Sequence, residues 1–503
     1  MFDPQRPDLA IGIVGAGTMG RGIAQLAAMS GLRVRLHDAR PGAAAEARAA
    51  VAAALDALAA KGRLPPADAA AAAARIEAAA GLEGLAGCHL AVEAIVEDLA
   101  AKRSLFAALE GIVGPDCVLA TNTSSLSVTA IAAACARPER VTGLHFFNPV
   151  PLMRLVEVIP GERTDPALPD RLAALVGRLG HRAVRAADTP GFLVNHAGRG
   201  FGTEALRILQ EGVADPPTID RILCEAAGFR MGPFALFDLV GLDVTLPVME
   251  AVFDGFYGEP RFRPTPLLRR RLAAGLLGHK GGGGFHGYVD GRPKLPPEPP
   301  PPPAAPRPVW CDPAGGEGLA ALVAGSGWPR DEGTTPGPDS LLLLAPLGED
   351  CTTAALRLGV DPARSLAVDT LFGLGGRLTL MRNPATDTTC AAATHALLAA
   401  GGRPVSVIAD SPGFVAQRVV ATIVNIACEI AQQRLAAPAD IDAAVRLGLG
   451  YPQGPLEWGD ALGPARLLAV LTGLHAATGD PRYRPSPWLS RRARLGLSLL
   501  REE

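Results

Sequence analysis

The sequence lacks any pair of cysteines spaced to bind zinc or to suggest a disulfide framework. Its 8 cysteines are scattered through 503 residues, and none belongs to a C-x-x-C motif. Structural zinc sites and small secreted scaffolds repeat cysteine at short, regular intervals. The pattern therefore predicts reduced thiols in a cytoplasmic protein and no metal site.

An excess of charge of either sign is also missing. The chain has 48 basic and 50 acidic residues, which gives a formal net charge of −2 at pH 7. Proteins that bind nucleic acids or anionic membranes usually present a basic surface. We therefore expect neither nucleic acid nor a membrane among the partners.

Long apolar runs are absent as well. No uninterrupted apolar stretch reaches the roughly 18 residues that a membrane-spanning helix needs. The first ten residues, MFDPQRPDLA, have no apolar core of the signal-peptide type. We expect a soluble cytoplasmic protein, long enough for about three or four domains.

What the chain does contain begins with the strand–loop–helix order of a dinucleotide-binding domain. The apolar run 10–14 leads into the loop Gly15-Ala16-Gly17-Thr18-Met19-Gly20, and a helical pattern follows. Gly15 permits a tight turn, Gly17 lets backbone amides approach a pyrophosphate, and Gly20 allows close packing of the helix. A second strand ends in Asp38, whose carboxylate can bind ribose hydroxyls and favours NAD over NADP. These elements predict a Rossmann domain that binds NAD.

Polar residues follow the later strands of this domain. The alanine-rich stretch 41–80 predicts two helices, and Lys61 ends the first, where it can meet an anionic ligand or lie exposed. The loop near Glu97 and the residues 122–125 (Asn122, Thr123, Ser124 and Ser125) come after strands. Ligands of open α/β sheets bind beyond the carboxyl ends of strands, so we expect these side chains to line the nicotinamide side. One of the two serines can also cap the following helix.

A predicted hairpin carries the candidate catalytic pair. Two apolar runs flank the loop NPVPLM, and His145 and Glu157 are equidistant from its centre near Pro151. They should therefore face each other across two antiparallel strands. A carboxylate beside histidine fixes the ring tautomer and stabilises the imidazolium, as a general base requires. A buried structural histidine with a satisfied partner is the alternative.

Six blocks in this order resemble the L-3-hydroxyacyl-CoA dehydrogenase family over residues 10 to about 290: GAGTMG, VEAIVED, NTSSLS, GLHFFNPVPLMRLVEVI, DTPGFLVN and AGFRMGPFALFDLVGLD. The resemblance implies that His145 is the general base and that Glu157 orients it. It also implies that Ser124 and Asn195 contact the substrate oxygen and that Lys61 contacts coenzyme A. The positions that it implies for NAD contacts are Asp38, Glu97, Lys102 and Asn148, beside the glycine loop and Asn122.

The segment after Asp188 predicts a helical domain, which occurs twice. Its first helix contains Gly198 and Gly200, and helix-interior glycine predicts a looser helix. The run from Asp410 to Gln417 repeats the run from Asp188 to Asn195, and a second helical pattern follows. The predicted divisions are 1–187 for the NAD-binding Rossmann domain, 188–290 for the helical C-terminal domain, 291–308 for a proline-rich linker, 309–409 for a degenerate Rossmann-like segment, and 410–503 for the second helical domain.

The second half is predicted to be catalytically silent. No glycine motif follows its first strand, Gln417 replaces Asn195, and the strand-like run RLTLMRNP resembles GLHFFNP without its histidine. We expect the two helical domains to pair within one chain, with a homodimer as a further assembly.

The full length is similar to the phenylacetate-pathway 3-hydroxyadipyl-CoA dehydrogenases. This resemblance implies NAD-dependent oxidation of an (S)-3-hydroxyacyl-CoA. The alternatives are a 3-hydroxybutyryl-CoA dehydrogenase of fatty-acid or butanoate metabolism, another NAD-linked hydroxyacid dehydrogenase, and a non-catalytic protein that binds NAD or coenzyme A. A cation such as Arg199 or Arg230 could meet a distal carboxylate, although both could be surface arginines.

Overall fold

Strands and helices alternate along the first third of the chain in a computed structural model that describes residues 2–502. The strands are Ala10–Val14 (β1), Arg33–His37 (β2), Ile76–Ala78 (β3), Leu90–Glu93 (β4), Val118–Thr121 (β5), Val141–Phe146 (β6), Leu155–Pro160 (β7) and Arg182–Arg185 (β8). The helices among them are Thr18–Met29 (α1), Ala43–Ala60 (α2), Pro66–Ala74 (α3), Leu99–Ile112 (α4), Val128–Ala132 (α5) and Leu168–Arg178 (α6).

These strands form one sheet in the order β3-β2-β1-β4-β5-β6-β7-β8. Only β6 and β7 pair antiparallel, and the other neighbours in this sheet are parallel. Every residue of β1, β4 and β5 is buried, as expected for strands with helices on both faces. The order in which the chain adds strands to the sheet reverses between β1 and β4. Sheets of this type bind ligands at such a switch point. The predicted Rossmann fold is confirmed.

The two-helix excursion was correctly predicted as α2 and α3, but the short strands β3 and β8 were not. Each has at most four residues, too few for a clear period-two pattern. The hairpin was also placed correctly, because its loop lies between Phe146 and Leu155.

Helices dominate the next segment. They are Val194–Ala197 (α7), Arg199–Gln210 (α8), Pro216–Glu225 (α9), Pro233–Val240 (α10), Leu242–Gly255 (α11) and Pro266–Ala273 (α12). Two of the three helices predicted for this segment are each interrupted. The first is divided into α7 and α8 at Gly198. The third is divided into α10 and α11 at Gly241, whose φ of 95° is incompatible with a continuing right-handed helix. A small hairpin, Gly287–Val289 (β9) with Arg292–Lys294 (β10), extends into the predicted proline-rich linker.

The second sheet lies beyond this linker. Its strands are Val309–Cys311 (β11), Arg330–Asp331 (β12), Leu341–Leu344 (β13), Ser365–Val368 (β14), Leu378–Arg382 (β15) and Val405–Ile408 (β16). Its helices are Gly316–Gly325 (α13), Cys351–Leu358 (α14) and Thr388–Leu398 (α15). The strand order is β12-β11-β13-β14-β15-β16, and only β14 and β15 pair antiparallel in it.

The comparison of RLTLMRNP with GLHFFNP was wrong. These residues form β15, which pairs antiparallel with the preceding strand and parallel with the following one, as β7 does in the first sheet. The counterpart of GLHFF is therefore β14. Sequence similarity around Asn383-Pro384 misled the comparison, because strand position is set by pairing partners and not by a shared dipeptide.

The last segment is helical again. Its helices are Ala416–Gln432 (α16), Pro438–Leu449 (α17), Pro455–Leu462 (α18), Pro464–Thr478 (α19) and Pro487–Leu495 (α20). Within residues 2–502, no helix is long and apolar enough to span a membrane.

Gly200 lies where α8 approaches α16. A Cβ atom at Gly200 would lie 3.1 Å from the side chain of Ile426 and 3.3 Å from the backbone of Ile423. Nearby, the buried carboxylate of Glu204 accepts hydrogen bonds at 2.5 Å from both Arg418 and Tyr483. Gly200 therefore permits close helix packing, which the expectation of a looser helix did not foresee.

The chain forms two compact units that do not follow the linear order of its segments. The first contains the residues up to His196 together with Arg434–Gly450, and the second contains Ala197–Gln433 together with the residues from Tyr451 on. In the first unit, α17 packs beside β8, and the guanidinium of Arg182 donates to Asp440 at 2.9 Å. The backbone N–H of Ala187 also donates to the carbonyl of Leu435 at 2.9 Å.

This arrangement predicts that the fragment 1–290 does not fold as a well-behaved monomer. It lacks Arg434–Gly450, so the surface of β7 and β8 that packs against α17 would face water. We expect the fragment to aggregate or self-associate and to unfold at a lower temperature than the full chain, as measured by light scattering and circular dichroism. A stable, active monomer would contradict this expectation.

Candidate active site

The glycine loop between β1 and α1 has the geometry of a phosphate cradle. Gly15 has a φ of 107°, and a side chain there would collide with the carbonyl of Ala94. A side chain at Gly20 would collide with the carbonyl of Gly15. Nothing lies within 4 Å of the position that a Cβ atom would occupy at Gly17, and no side chain caps α1. This open backbone at a helix N-terminus fits the pyrophosphate of a dinucleotide.

Asp38 links the end of β2 to this loop. Its Oδ2 atom accepts the backbone N–H of Ala16 at 2.7 Å, and its Oδ1 atom accepts that of Arg40 at 2.9 Å. Although burial acts to raise the pKa of Asp38, these hydrogen bonds and nearby cations lower it below its usual value. The carboxylate is therefore ionised and lies beside the cradle, where it can accept hydrogen bonds from ribose hydroxyls.

A buried ion pair fixes the end of β4. Lys102 Nζ lies 2.5 Å from Glu93 Oε1, and the two side chains are 1% and 0% exposed. Glu93 also accepts hydrogen bonds from the backbone of Ile95 and the hydroxyl of Thr121. Lys102 reaches a second carboxylate, Glu97, at 3.2 Å. The prediction from sequence identified Lys102 and Glu97 but missed Glu93, the buried group that holds them in place.

Glu97 gathers the polar loop after β5. Its Oε1 atom accepts hydrogen bonds from the hydroxyls of Thr123 and Ser125 at 2.6 and 2.9 Å, and from the backbone N–H of Ser124 at 2.9 Å. Burial acts to raise the pKa of Glu97, but the hydrogen bond from Thr123 and the charge of Lys102 lower it to about 2. The carboxylate is therefore charged across the physiological range and holds this loop in one conformation.

Neither of the two adjacent serines caps the following helix. Ser127 is the N-cap of α5, and its hydroxyl accepts the N–H of Ala130. Ser127 also donates to Asp188, whose carboxylate accepts the backbone N–H groups of Val128 and Thr129. Because Ser127 takes the capping role, the exposed Ser124 and Ser125 remain at the mouth of the loop.

His145 and Glu157 are directly opposite each other in the β6–β7 register, as predicted. The Nδ1 atom of His145 lies 2.6 Å from Glu157 Oε2, and the residues are 6% and 1% exposed. A carboxylate can only accept at this contact, so Nδ1 carries the proton and Nε2 is the free basic nitrogen. The rings of Phe147 and Phe192 lie 4.4 and 5.9 Å from the imidazole and shield the pair from water.

The second oxygen of Glu157 holds the start of α7. Oε1 accepts the backbone N–H groups of Leu193 and Val194 at 3.0 and 2.8 Å. The half-buried Asn195 follows directly in α7. One carboxylate therefore fixes both the histidine ring and the backbone that carries Asn195.

The other predicted residues differ in their surroundings. Asn122 accepts the backbone N–H of Phe146 through its side-chain oxygen at 2.8 Å, so it supports the strand of His145. Asn148 is exposed in the hairpin loop, and Lys61 is exposed at the end of α2.

In the second half, side chains of that half fill the position that corresponds to the His145–Glu157 pair. Asp369 comes directly after β14, the counterpart of the strand that contains His145. Its carboxylate accepts a hydrogen bond from the amide of Gln417 at 2.9 Å. Gln417 also bonds to the backbone of Pro346 and Gly348. Burial raises the pKa of Asp369 to about 6. This arrangement contains no imidazole, and Gln417 stands at the position that corresponds to Asn195.

Comparison with known proteins agrees with this geometry. Residues 10–189 match the 3-hydroxyacyl-CoA dehydrogenase NAD binding domain, and residues 191–288 and 413–498 both match the C-terminal domain of the same family. The chain is 37% identical over 489 residues to 3-hydroxyadipyl-CoA dehydrogenase of Escherichia coli K12, an alignment that covers 96% of this chain and 97% of that protein. The chain belongs to the 3-hydroxyacyl-CoA dehydrogenase family. It is an NAD-dependent oxidoreductase, as predicted.

Other members of the family are similar over part or all of the chain. A probable 3-hydroxybutyryl-CoA dehydrogenase of Bacillus subtilis is 42% identical over 278 residues, which cover 55% of this chain and 96% of that protein. A crystal structure of 3-hydroxybutyryl-CoA dehydrogenase from Escherichia coli K12 has a TM-score of 0.85 at 35% identity and covers 97% of this chain and 98% of that chain.

The buried ion pair predicts a large effect of one substitution on stability. In Lys102→Met, Glu93 would keep its buried carboxylate but lose its cation, which should destabilise the protein by about 3–5 kcal/mol. The free energy of unfolding in urea measures this change. Lys61→Met, at an exposed position, is the matched control and should change it by no more than about 0.5 kcal/mol. Equal midpoints for the two variants would contradict the structural role of the pair.

Proposed function

We propose that this dehydrogenase oxidises (S)-3-hydroxyadipyl-CoA to 3-oxoadipyl-CoA in phenylacetate catabolism. The observation that carries the choice of substrate is the match to a 3-hydroxyadipyl-CoA dehydrogenase over nearly the whole of both chains. The buried pair of His145 and Glu157 supports the chemistry, because it provides a base polarised by a carboxylate in the same compact unit as the cradle for NAD.

His145 is the proposed general base. Its Nε2 atom accepts the proton of the 3-hydroxyl group, and Glu157 stabilises the resulting imidazolium at 2.6 Å from Nδ1. The glycine loop and Asp38 would hold NAD, and the bound nicotinamide would supply the hydride acceptor for C3 of the substrate. In the reverse direction His145 returns the proton to the oxygen of the ketone.

Ser124 and Asn195 are proposed to bind the reacting oxygen. A hydroxyl and an amide can each donate a hydrogen bond to an oxygen on which negative charge develops. The backbone N–H of Ser124 donates to Glu97, and that of Val194, beside Asn195, donates to Glu157. These bonds support the role, because they hold the backbone that carries each donor in place.

The remaining predicted contacts form part of the same proposal. Gly15, Gly17, Thr18, Met19 and Gly20 would cradle the pyrophosphate of NAD. The proposed NAD contacts elsewhere are Asp38, Glu97, Lys102, Asn122, Ser124 and Asn148. Lys61 would bind coenzyme A. A cytoplasmic location belongs to this proposal, since NAD and acyl-CoA thioesters are metabolites of the cell interior.

The second half is proposed to be a duplicated, silent copy that completes the assembly. The divisions 1–187, 188–290, 291–308, 309–409 and 410–503 remain our proposed domains. The contact of Gly200 with α16 and the bonds of Glu204 to Arg418 support pairing of the two helical domains within one chain. The Asp369–Gln417 contact supports silence, because it fills the place of the catalytic pair.

A second candidate is a 3-hydroxybutyryl-CoA dehydrogenase. The shorter relative from Bacillus subtilis and the solved structure from Escherichia coli K12 both carry that name. The chemistry of the proposed site is the same for both substrates, which differ only in the end of the acyl chain.

The experiment that separates these candidates is NADH oxidation with 3-oxoadipyl-CoA and acetoacetyl-CoA, with NADPH as the cofactor control. We expect turnover of both with NADH, at least a tenfold higher kcat/KM for 3-oxoadipyl-CoA, and little activity with NADPH. Preference for acetoacetyl-CoA would favour the second candidate. NADH binding without turnover of either substrate would indicate a non-catalytic NAD- or CoA-binding protein.

A further inference from the structure

The loop after β2 carries two side chains with opposite consequences for the choice of cofactor. A carboxylate at the position of Asp38 can accept hydrogen bonds from the ribose hydroxyls of NAD, and its charge repels the 2′-phosphate of NADP. Arg40 follows two residues later. An arginine in this region of a Rossmann domain can accommodate that phosphate. The choice of cofactor therefore depends on where the guanidinium of Arg40 is held.

The backbone of Arg40 is tied to Asp38. Its N–H group donates to Asp38 Oδ1 at 2.9 Å, while Asp38 Oδ2 accepts the N–H of Ala16 in the glycine loop at 2.7 Å. Gly42 has a φ of 82°, a left-handed conformation that favours glycine, and α2 begins directly after it. Only residues 39–42 separate Asp38 from α2, so the first turn of this helix lies close to Arg40.

The side chain of Arg40 is held by Glu46, which belongs to the first turn of α2. Arg40 Nη1 lies 3.1 Å from Glu46 Oε1, and Arg40 Nη2 lies 2.5 Å from Glu46 Oε2. Arginine uses this two-point geometry to bind either a carboxylate or a phosphate. The contact raises the pKa of Arg40 and lowers that of Glu46, so both groups are charged at physiological pH. Glu46 therefore occupies the donor groups that a 2′-phosphate would need.

We propose that Glu46 strengthens the preference for NAD over NADP by holding Arg40 in this pair. Asp38, Arg40 and Glu46 together present two negative charges and one positive charge beside the glycine loop. A 2′-phosphate, which carries about two negative charges at pH 7, is disfavoured there. Without Glu46, the guanidinium of Arg40 would be free to meet the phosphate. This role concerns the cofactor alone and does not depend on which acyl-CoA is oxidised.

The exposure of the pair sets the size of the effect. The side chains of Arg40 and Glu46 are 62% and 65% exposed. An exposed ion pair shifts an equilibrium by only a few-fold, and dissolved salt screens it. We therefore expect Glu46 to add to a preference that Asp38 establishes, with an effect that is largest at low ionic strength.

The test measures dissociation constants of NADH and NADPH by their fluorescence, on the full-length enzyme without any acyl-CoA. We expect Glu46→Gln to tighten NADPH binding by roughly fivefold at low ionic strength and to leave NADH binding within about twofold. About 0.5 M salt should remove most of this gain. Glu139→Gln is the matched control, because Glu139 pairs with Arg137 at 2.9 Å in an exposed contact before β6, at the opposite edge of the sheet. It should change neither constant.

A double-mutant cycle separates the proposed route from a direct effect of the charge of Glu46. In an Arg40→Met background, Glu46→Gln should improve NADPH binding by no more than about twofold, because no guanidinium is left to release. A gain of the same size with and without Arg40 would overturn the proposal, as would unchanged NADPH binding in Glu46→Gln. The NADH constant of each variant shows whether its cofactor site is intact. Either result would leave the proposed acyl-CoA substrate untouched, since no acyl-CoA is present.

Discussion

The arrangement of this molecule depends on one buried carboxylate. Glu157 is 1% exposed and uses both oxygens, one towards the imidazole of His145 and one towards the backbone N–H groups of Leu193 and Val194. A buried ionised carboxylate is costly unless its acceptors are satisfied, so these partners hold one another in place. Glu157 thereby joins the β6–β7 hairpin to the start of α7, and so the proposed base to Asn195.

The antiparallel pairing of β6 and β7 makes this possible within a sheet that is otherwise parallel. In the second sheet, β14 and β15 repeat the pairing, but Asp369 occupies the place of the histidine and Gln417 fills the space beside it. The same architecture therefore supports a proposed catalytic site in one half and a satisfied hydrogen-bond network in the other.

The sequence predicted those features that depend on local pattern. The glycine loop, the two-helix excursion and the facing of His145 and Glu157 follow from spacing of a few residues, and all three were placed correctly. Glu93 was missed because its burial depends on Thr121 and Lys102, which come together only in the folded sheet. The packing of Arg434–Gly450 in the first compact unit was missed for the same reason.

The looser helix expected from Gly198 and Gly200 stays a prediction, while Ile423 and Ile426 explain the absence of a side chain at Gly200. One error arose from treating local composition as decisive. The dipeptide Asn383-Pro384 suggested that β15 corresponds to β6. The pairing of the strands instead makes β14 the counterpart of β6 and β15 the counterpart of β7.

The coupling of His145 to Glu157 is the most direct test of this account, through a double-mutant cycle measured as kcat with saturating NADH. We expect His145→Gln and Glu157→Gln each to lower kcat by about 10³–10⁴-fold, and the double variant to lose no more than the worse single variant. NADH affinity, measured by fluorescence, should be unchanged in all three variants. Independent effects that multiply in the double variant, or nearly full activity of Glu157→Gln, would contradict the claim that the two residues act as one unit.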